Sequence, residues 1–160
     1  MHLKTIALVV LGLTGLSTLP TAAMDDHVAV SSEQLKWMPI SPAYPKGGEV
    51  AVLAGDPTKE GQYVIRLKAP AGYKVAPHSH PFDEHVTVIS GALILDTGDK
   101  PDSSRAALKP GAFVKMPKGA VHYAIFPEAT IIQVHGQGPQ GINYADPADD
   151  PRFAASLVEG

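Results

Sequence analysis

The chain of 160 residues has no cysteine, which excludes disulfide staples, thiolate metal ligands and a cysteine nucleophile. It has no surplus of positive charge: 13 lysines and arginines stand against 16 aspartates and glutamates. Nothing in that balance invites a polyanion such as nucleic acid. Aromatic side chains are sparse, with one tryptophan, five tyrosines and four phenylalanines. The sequence contains neither a GxSxG elbow nor a glycine loop of the kind that cradles phosphate, which argues against serine hydrolysis and nucleotide chemistry. Long apolar runs are also lacking, apart from one that extends from Thr5 to Leu19. At 15 residues it falls short of the roughly 20 that a membrane span needs. Lys4 precedes it and the small residues Thr21, Ala22 and Ala23 follow it, the pattern of a secretory signal. Cleavage is expected after Ala23, giving a signal peptide over 1–23 and one mature domain over 24–160. The mature protein would be periplasmic or secreted, with no membrane attachment. Loss of Lys4 leaves 12 basic against 16 acidic side chains, a net charge of −4.

What is plentiful is glycine and proline, 15 of each. Short apolar runs between such residues suit an all-β chain with many turns better than a helical one. The mature length suffices for one domain with its own core. Met24 to Lys36 is polar and reads as an arm, and LKWMPI as a short strand. Trp37, the only tryptophan, fits core packing or a cover over one end of a barrel better than a ligand-stacking role. A proline-rich loop over 41–48 carries Tyr44, placed to line a pocket mouth. In QYVIRLKA the residues Tyr63, Ile65 and Leu67 alternate with Val64, Arg66 and Lys68, so the first set faces inward. Tyr63 is then either a pocket residue or a core tyrosine. The segment 99–107 reads as an exposed loop in which Asp99 and Asp102 can pair with Arg105. The tail after Gln137 mixes turns with a last helical turn around Phe153 to Val158.

The chemistry concentrates in two stretches. In GYKVAPHSHPFDEHVTVISG, Gly72 to Gly91, His78 and His80 sit two residues apart, and on a strand that spacing projects both imidazoles to one side. Pro81 and Asp83 favour a turn, after which Glu84, Val86 and Val88 share one face and His85, Thr87 and Ile89 the other. If the valines face the core, Glu84 does too, which makes it the third metal ligand and turns Asp83 and His85 away. In GAFVKMPKGAVHYAIF, Gly111 to Phe126, a turn at Pro117 and Gly119 precedes a strand on which His122 shares a face with Ala124 and Phe126. His122 is the fourth ligand. A late strand, ATIIQVHG, sets Gln133 and His135 opposite Ile132 and Val134. Facing inward, Gln133 and His135 would line the pocket, with His135 as a general acid or base beside Glu84; facing outward they are surface residues. Parity does not choose between the two.

The spacing of the two stretches resembles both cupin motifs. Gly72, His78, His80, Glu84 and Gly91 fill the first motif, over 72–91, and Gly111, Pro117, Gly119 and His122 fit the second, over 111–126. Phe126 stands where the second motif ends in asparagine, setting an apolar ring where a polar pocket group often sits. The resemblance implies a double-stranded β-helix, or jelly-roll, barrel. It also implies pairing as a homodimer. Three imidazoles and one carboxylate around a divalent ion leave a site charge near +1, and six-coordination would leave two positions for water or substrate. The donor set suits Mn, Fe, Co, Ni or Zn better than Mg or Ca. The function implied is that of a metalloenzyme acting on a small anionic or oxygen-rich molecule, of dioxygenase, isomerase, lyase or decarboxylase type. The alternative is a non-catalytic periplasmic cupin that binds a ligand or a metal.

Overall fold

In the computed structural model residues 27–156 are described; the expected signal peptide lies outside them. Ten strands follow in order: β1 Met38–Pro39, β2 Glu49–Ala54, β3 Gly61–Ala69, β4 Tyr73–Ser79, β5 Glu84–Ser90, β6 Ile94–Thr97, β7 Phe113–Met116, β8 His122–Phe126, β9 Thr130–Gly138 and β10 Asn143–Tyr144. A six-stranded sheet in the order β1-β2-β3-β9-β5-β7 faces a four-stranded one in the order β10-β4-β8-β6, and every pairing is antiparallel. This is a jelly-roll sandwich. A short helix, α1 Pro151–Ser156, follows the tail's 3-10 turn.

Period-two burial decides which side chains face the space between the sheets. On β3, Tyr63, Ile65, Leu67 and Ala69 are buried. On β9 it is Ile132 and Val134 that are buried, both at 5% exposure or less. Gln133 and His135 therefore occupy the outer face, and the inward alternative for them is corrected. His135 is exposed, lies opposite His85 on β5 and is 2.9 Å from the Gln133 amide. Trp37 is half-buried on the outside, where the Lys68 ammonium lies 5.0 Å from its ring centroid.

Strand β8 is buried along its whole length because the small sheet is covered on both sides. Ala124 and Phe126 join the main core between the sheets, whereas Tyr123 and Ile125 form a second cluster with Ile94 and Ala107. The segment after β6 supplies that outer cover. Within it Arg105 pairs with Asp96, not with the aspartates of its own loop.

One irregularity places the site. Along β4, Val75 pairs with Ala124 but His78 pairs with His122, so three steps on β4 match two on β8. This β-bulge reverses the strand's parity. Tyr73 and Val75 face inward before it and His78 and His80 after it, and all four are buried. Pro77 lies inside the bulge, where a missing backbone N–H costs no ladder bond. Gly91, at the end of β5, has φ +78°, and a Cβ there would collide with the Ala129 carbonyl and the Thr130 hydroxyl. Only glycine lets the chain leave β5 at that point.

Candidate metal centre and cavity

Three imidazoles converge at one end of the sandwich. His78 comes from β4, His80 from the residue just beyond it, and His122 from the first position of β8. Their ring centroids are 4.3 Å apart for His78 and His122, 4.9 Å for His78 and His80, and 5.2 Å for His80 and His122. One ring nitrogen of each lies within 4.8 Å of the others, a group that could hold a metal ion. Glu84 reaches across from the larger sheet. Its carboxylate oxygens stand 3.7 Å from His80 Nε2 and 3.5 Å from His122 Nε2, with the side chain 15% exposed. The structure thus brings together all four residues expected as ligands, with Glu84 against two of the three imidazoles.

The hydrogen bonds on the far side of each ring fix its tautomer. Nδ1 of His78 lies 2.7 Å from the Ala76 carbonyl, Nδ1 of His80 2.6 Å from the Gly141 carbonyl, and Nδ1 of His122 2.9 Å from the Ala120 carbonyl. A carbonyl only accepts, so each Nδ1 carries a proton and donates it, and Nε2 is the nitrogen of each ring left to face the centre. His122 Nε2 is buried and has no hydrogen-bond partner among the described residues. A buried polar atom without a partner costs roughly 1–3 kcal/mol. A cation at that point relieves the cost, and carbonyl-oriented imidazoles are how proteins present histidine to metals. The residues fit a metal ion.

Electrostatics keep the His78 ring as a ligand. Burial, then the neighbouring His122, depress His78 from the usual imidazole range to about 3, so it stays neutral. Burial pushes the Glu84 carboxyl up, but His122, His80 and His78 more than offset this and hold it below the ordinary carboxylate value. It is therefore ionised at neutral pH.

The turns that hold the two motifs together use residues whose side chains point away from the rings. The Asp83 carboxylate accepts from the Lys118 N–H at 2.8 Å and pairs with Lys115 at 2.7 Å, and the Gly119 N–H donates to the His80 carbonyl at 3.0 Å. The tail contributes too. Strand β10 sets Tyr144 opposite His78, and Gly141 just before it supplies the carbonyl that orients His80. Sequence reasoning took this tail for turns; a carbonyl partner leaves no side-chain signal to find.

A cavity of about 570 Å³ opens from the histidines into the sandwich. Its volume suits a small organic ligand. Apolar side chains from both sheets, among them Leu67, Val75, Leu93 and Val134, line its body, and Phe126 lines it four residues along β8 from His122. Met38 and Val52 line it while remaining 51% and 41% exposed, which marks the mouth. Were the whole volume dry and empty, about 24 cal/mol per Å³ would put the cost near 14 kcal/mol, as large as a domain's entire stability. The space therefore holds water or a ligand.

Tyr44 lines this cavity, and its hydroxyl accepts from Gln140 Nε2 at 3.4 Å. Burial, then the Glu84 charge, raise its phenol well above the ordinary value, so it remains a proton donor. Tyr63 faces inward but lies outside this cavity. It packs over Gly136, where a Cβ would strike its ring, and lines a small recess behind His80 and Glu84. Burial and the Glu84 charge raise its phenol to about 12. Gln133 and His135 do not reach the cavity, so His135 is not placed to act there as a general acid or base.

A jelly-roll sandwich with three histidines and a glutamate at one end, carried by two such glycine-bounded motifs, defines a cupin. Residues 25–140 match the ChrR cupin-like domain, and the chain belongs to that family. No curated protein matches it by sequence. Among solved structures it is similar to the polyketide cyclase RemF from Streptomyces resistomycificus, with 16% identity over 84% of this chain and 96% of that one and a TM-score of 0.65. It is also similar to an acetylacetone dioxygenase from Acinetobacter johnsonii, with 16% identity, coverage of 89% and 98% and a TM-score of 0.60. A third is an RmlC-like cupin from Ralstonia eutropha, with 20% identity, coverage of 82% and 84% and a TM-score of 0.58. At these identities the likeness is one of fold.

Proposed function

We propose that the protein is a metal-dependent cupin enzyme that holds a divalent transition metal, one of Mn, Fe, Co, Ni or Zn, through His78, His80, Glu84 and His122 and acts on a small organic molecule. The observation that carries this is the convergence of three Nε2 atoms, each oriented by an Nδ1–H bond to a carbonyl, with that of His122 buried and unpartnered among the described residues. When bound, such an ion supplies a Lewis acid at the inner end of an open cavity. The chain's own residues do the rest. The apolar walls exclude water from around a ligand, which strengthens every charge interaction there. Glu84, ionised and at the histidine end, is placed to take a proton from a bound ligand and return it. Tyr44 keeps its proton and is placed to donate a hydrogen bond to a ligand oxygen.

Two of the similar structures are named as a dioxygenase and a cyclase, which supports catalysis over passive binding. Openness supports it as well: of Trp37, Phe126 and Tyr123, the aromatic side chains that could seal it, only Phe126 lines the cavity, and the exposed Met38 and Val52 leave its mouth open. Fold does not choose among dioxygenase, isomerase, lyase and decarboxylase chemistry. The N-terminal apolar run supports export, which N-terminal sequencing of protein recovered from the periplasm tests; mature chains should begin at Met24.

Elemental analysis of the wild type beside His122→Ala tests the centre. About one metal per wild-type chain, a reduced content in the variant, and a cobalt-substituted spectrum that responds to azide are expected. Wild-type protein that refuses all five metals would overturn the proposal.

A further inference from the structure

The cavity is uneven in its chemistry. Among the described residues its charged side chains are Glu84 at the histidine end and Asp56, no lysine or arginine lines it, and Ser41, Tyr44, Thr58 and Gln140 are the neutral polar ones besides the histidines. A ligand carrying several anionic or hydroxyl groups would bury them against Leu67, Leu93, Val134 and Phe126 without partners, a cost of a few kcal/mol for each group at the apolar wall. His122 and Phe126 both line the space and lie four residues apart on β8, about 13 Å along the strand. The exposed residues of the lining mark the mouth, where Met38 and Val52 stand beside the hydroxyls of Ser41 and Thr58.

We infer that this cavity takes an oxygen-poor amphiphile, a molecule with one oxygen-bearing head at the histidine end and a hydrocarbon body of about ten carbons filling the space toward Phe126. The apolar walls disfavour sugars, sugar acids and polyanions, which replaces the expectation of an oxygen-rich substrate with an oxygen-poor one. The inference rests on the metal-centre reading for its polar anchor. The body of the ligand is chosen by the walls alone.

Calorimetric titration of the metal-loaded full chain with acetate, hexanoate, octanoate and decanoate, and with galacturonate as the oxygen-rich counter-probe, tests it. Buried methylenes tighten binding about fourfold each, so decanoate, four methylenes longer, should bind roughly 200-fold more tightly than hexanoate. Ala124 and Leu95 face each other across β8 and β6 and both line the cavity. Ala124→Phe should abolish the gain with chain length while leaving the metal content intact, and Leu95→Phe provides the same test should the first variant fail to fold. Affinity that is flat with chain length, or galacturonate binding more tightly than decanoate, would overturn the inference. Metal content measured on the same samples separates the two readings. Absence of metal condemns the centre, whereas a bound metal with no chain-length dependence condemns only the amphiphile.

Discussion

The metal-free protein should lose stability in mild acid, and His78 should account for a measurable share of the loss. In the unfolded chain this imidazole titrates near its ordinary 6.5; in the folded protein burial and the adjacent His122 depress it to about 3. Between those values the unfolded state holds a proton that the folded state does not, so stability falls as pH falls. The slope from one such group approaches about 1.4 kcal/mol per pH unit, and integration from pH 6.5 to pH 5 gives a loss of about 1.7 kcal/mol. Glu84 works in the same direction but lower. Its folded value is depressed, so its contribution is present above its unfolded value of 4.5 and lost as pH falls below it. The window above pH 5 therefore isolates the histidine end. Denaturant unfolding of chelator-treated wild type and His78→Gln at pH 7.5, 6.5, 5.5 and 5 measures the difference. The glutamine variant should be flatter by about 1.7 kcal/mol between pH 6.5 and 5, whatever its starting stability. Parallel pH profiles for the two proteins would refute the assignment of a neutral, buried imidazole at 78.

Other changes separate structural from functional positions. His135→Ala should leave metal content and ligand binding unchanged, because His135 is exposed on the outer face; a tenfold loss of either would mean that the outer face communicates with the centre. Gly91→Ala forces an alanine to φ +78° and into the Thr130 hydroxyl, and should cost about 1–3 kcal/mol or more in denaturant unfolding. A loss of only a few tenths of a kcal/mol would show that the turn relaxes freely. Arg105→Ala removes a surface pair with Asp96 and should change stability by less than about 1 kcal/mol, which thermal unfolding at two salt concentrations would check.

Much of this architecture was legible because the two motifs are dense in residues whose spacing has one geometric meaning. The i,i+2 pair of His78 and His80, the parity linking Glu84 to Val86 and Val88, and the Pro117–Gly119 turn before His122 each follow from a strand's period of two. The phase of β4 did not. A period-two reading that starts at Tyr73 and Val75 assigns Pro77 and Ser79 to the interior, and only the bulge before His78 carries the histidines there. For β9 the sequence offers two equally regular faces. Ile132 and Val134 win because the opposite sheet supplies an apolar partner that Gln133 and His135 could satisfy only through buried hydrogen bonds. Strand β10 is two residues long, and its existence depends on β4 as a neighbour. Tyr44 and Gln140 lie in loops 96 residues apart, and nothing local signals that they meet at the cavity.

The three oxygens that orient the imidazoles belong to the main chain at Ala76, Ala120 and Gly141. A carboxylate in that role could be deleted by one codon change and would show up as a constrained position among relatives. Here no substitution at those three sites removes the acceptor, so the orientation of the ligands is inherited through the path of the backbone. Homologues are then free to vary the identities of residues 76 and 120 while keeping the rings aimed, and a lesion in this support would come from insertion, deletion or a change in backbone conformation instead.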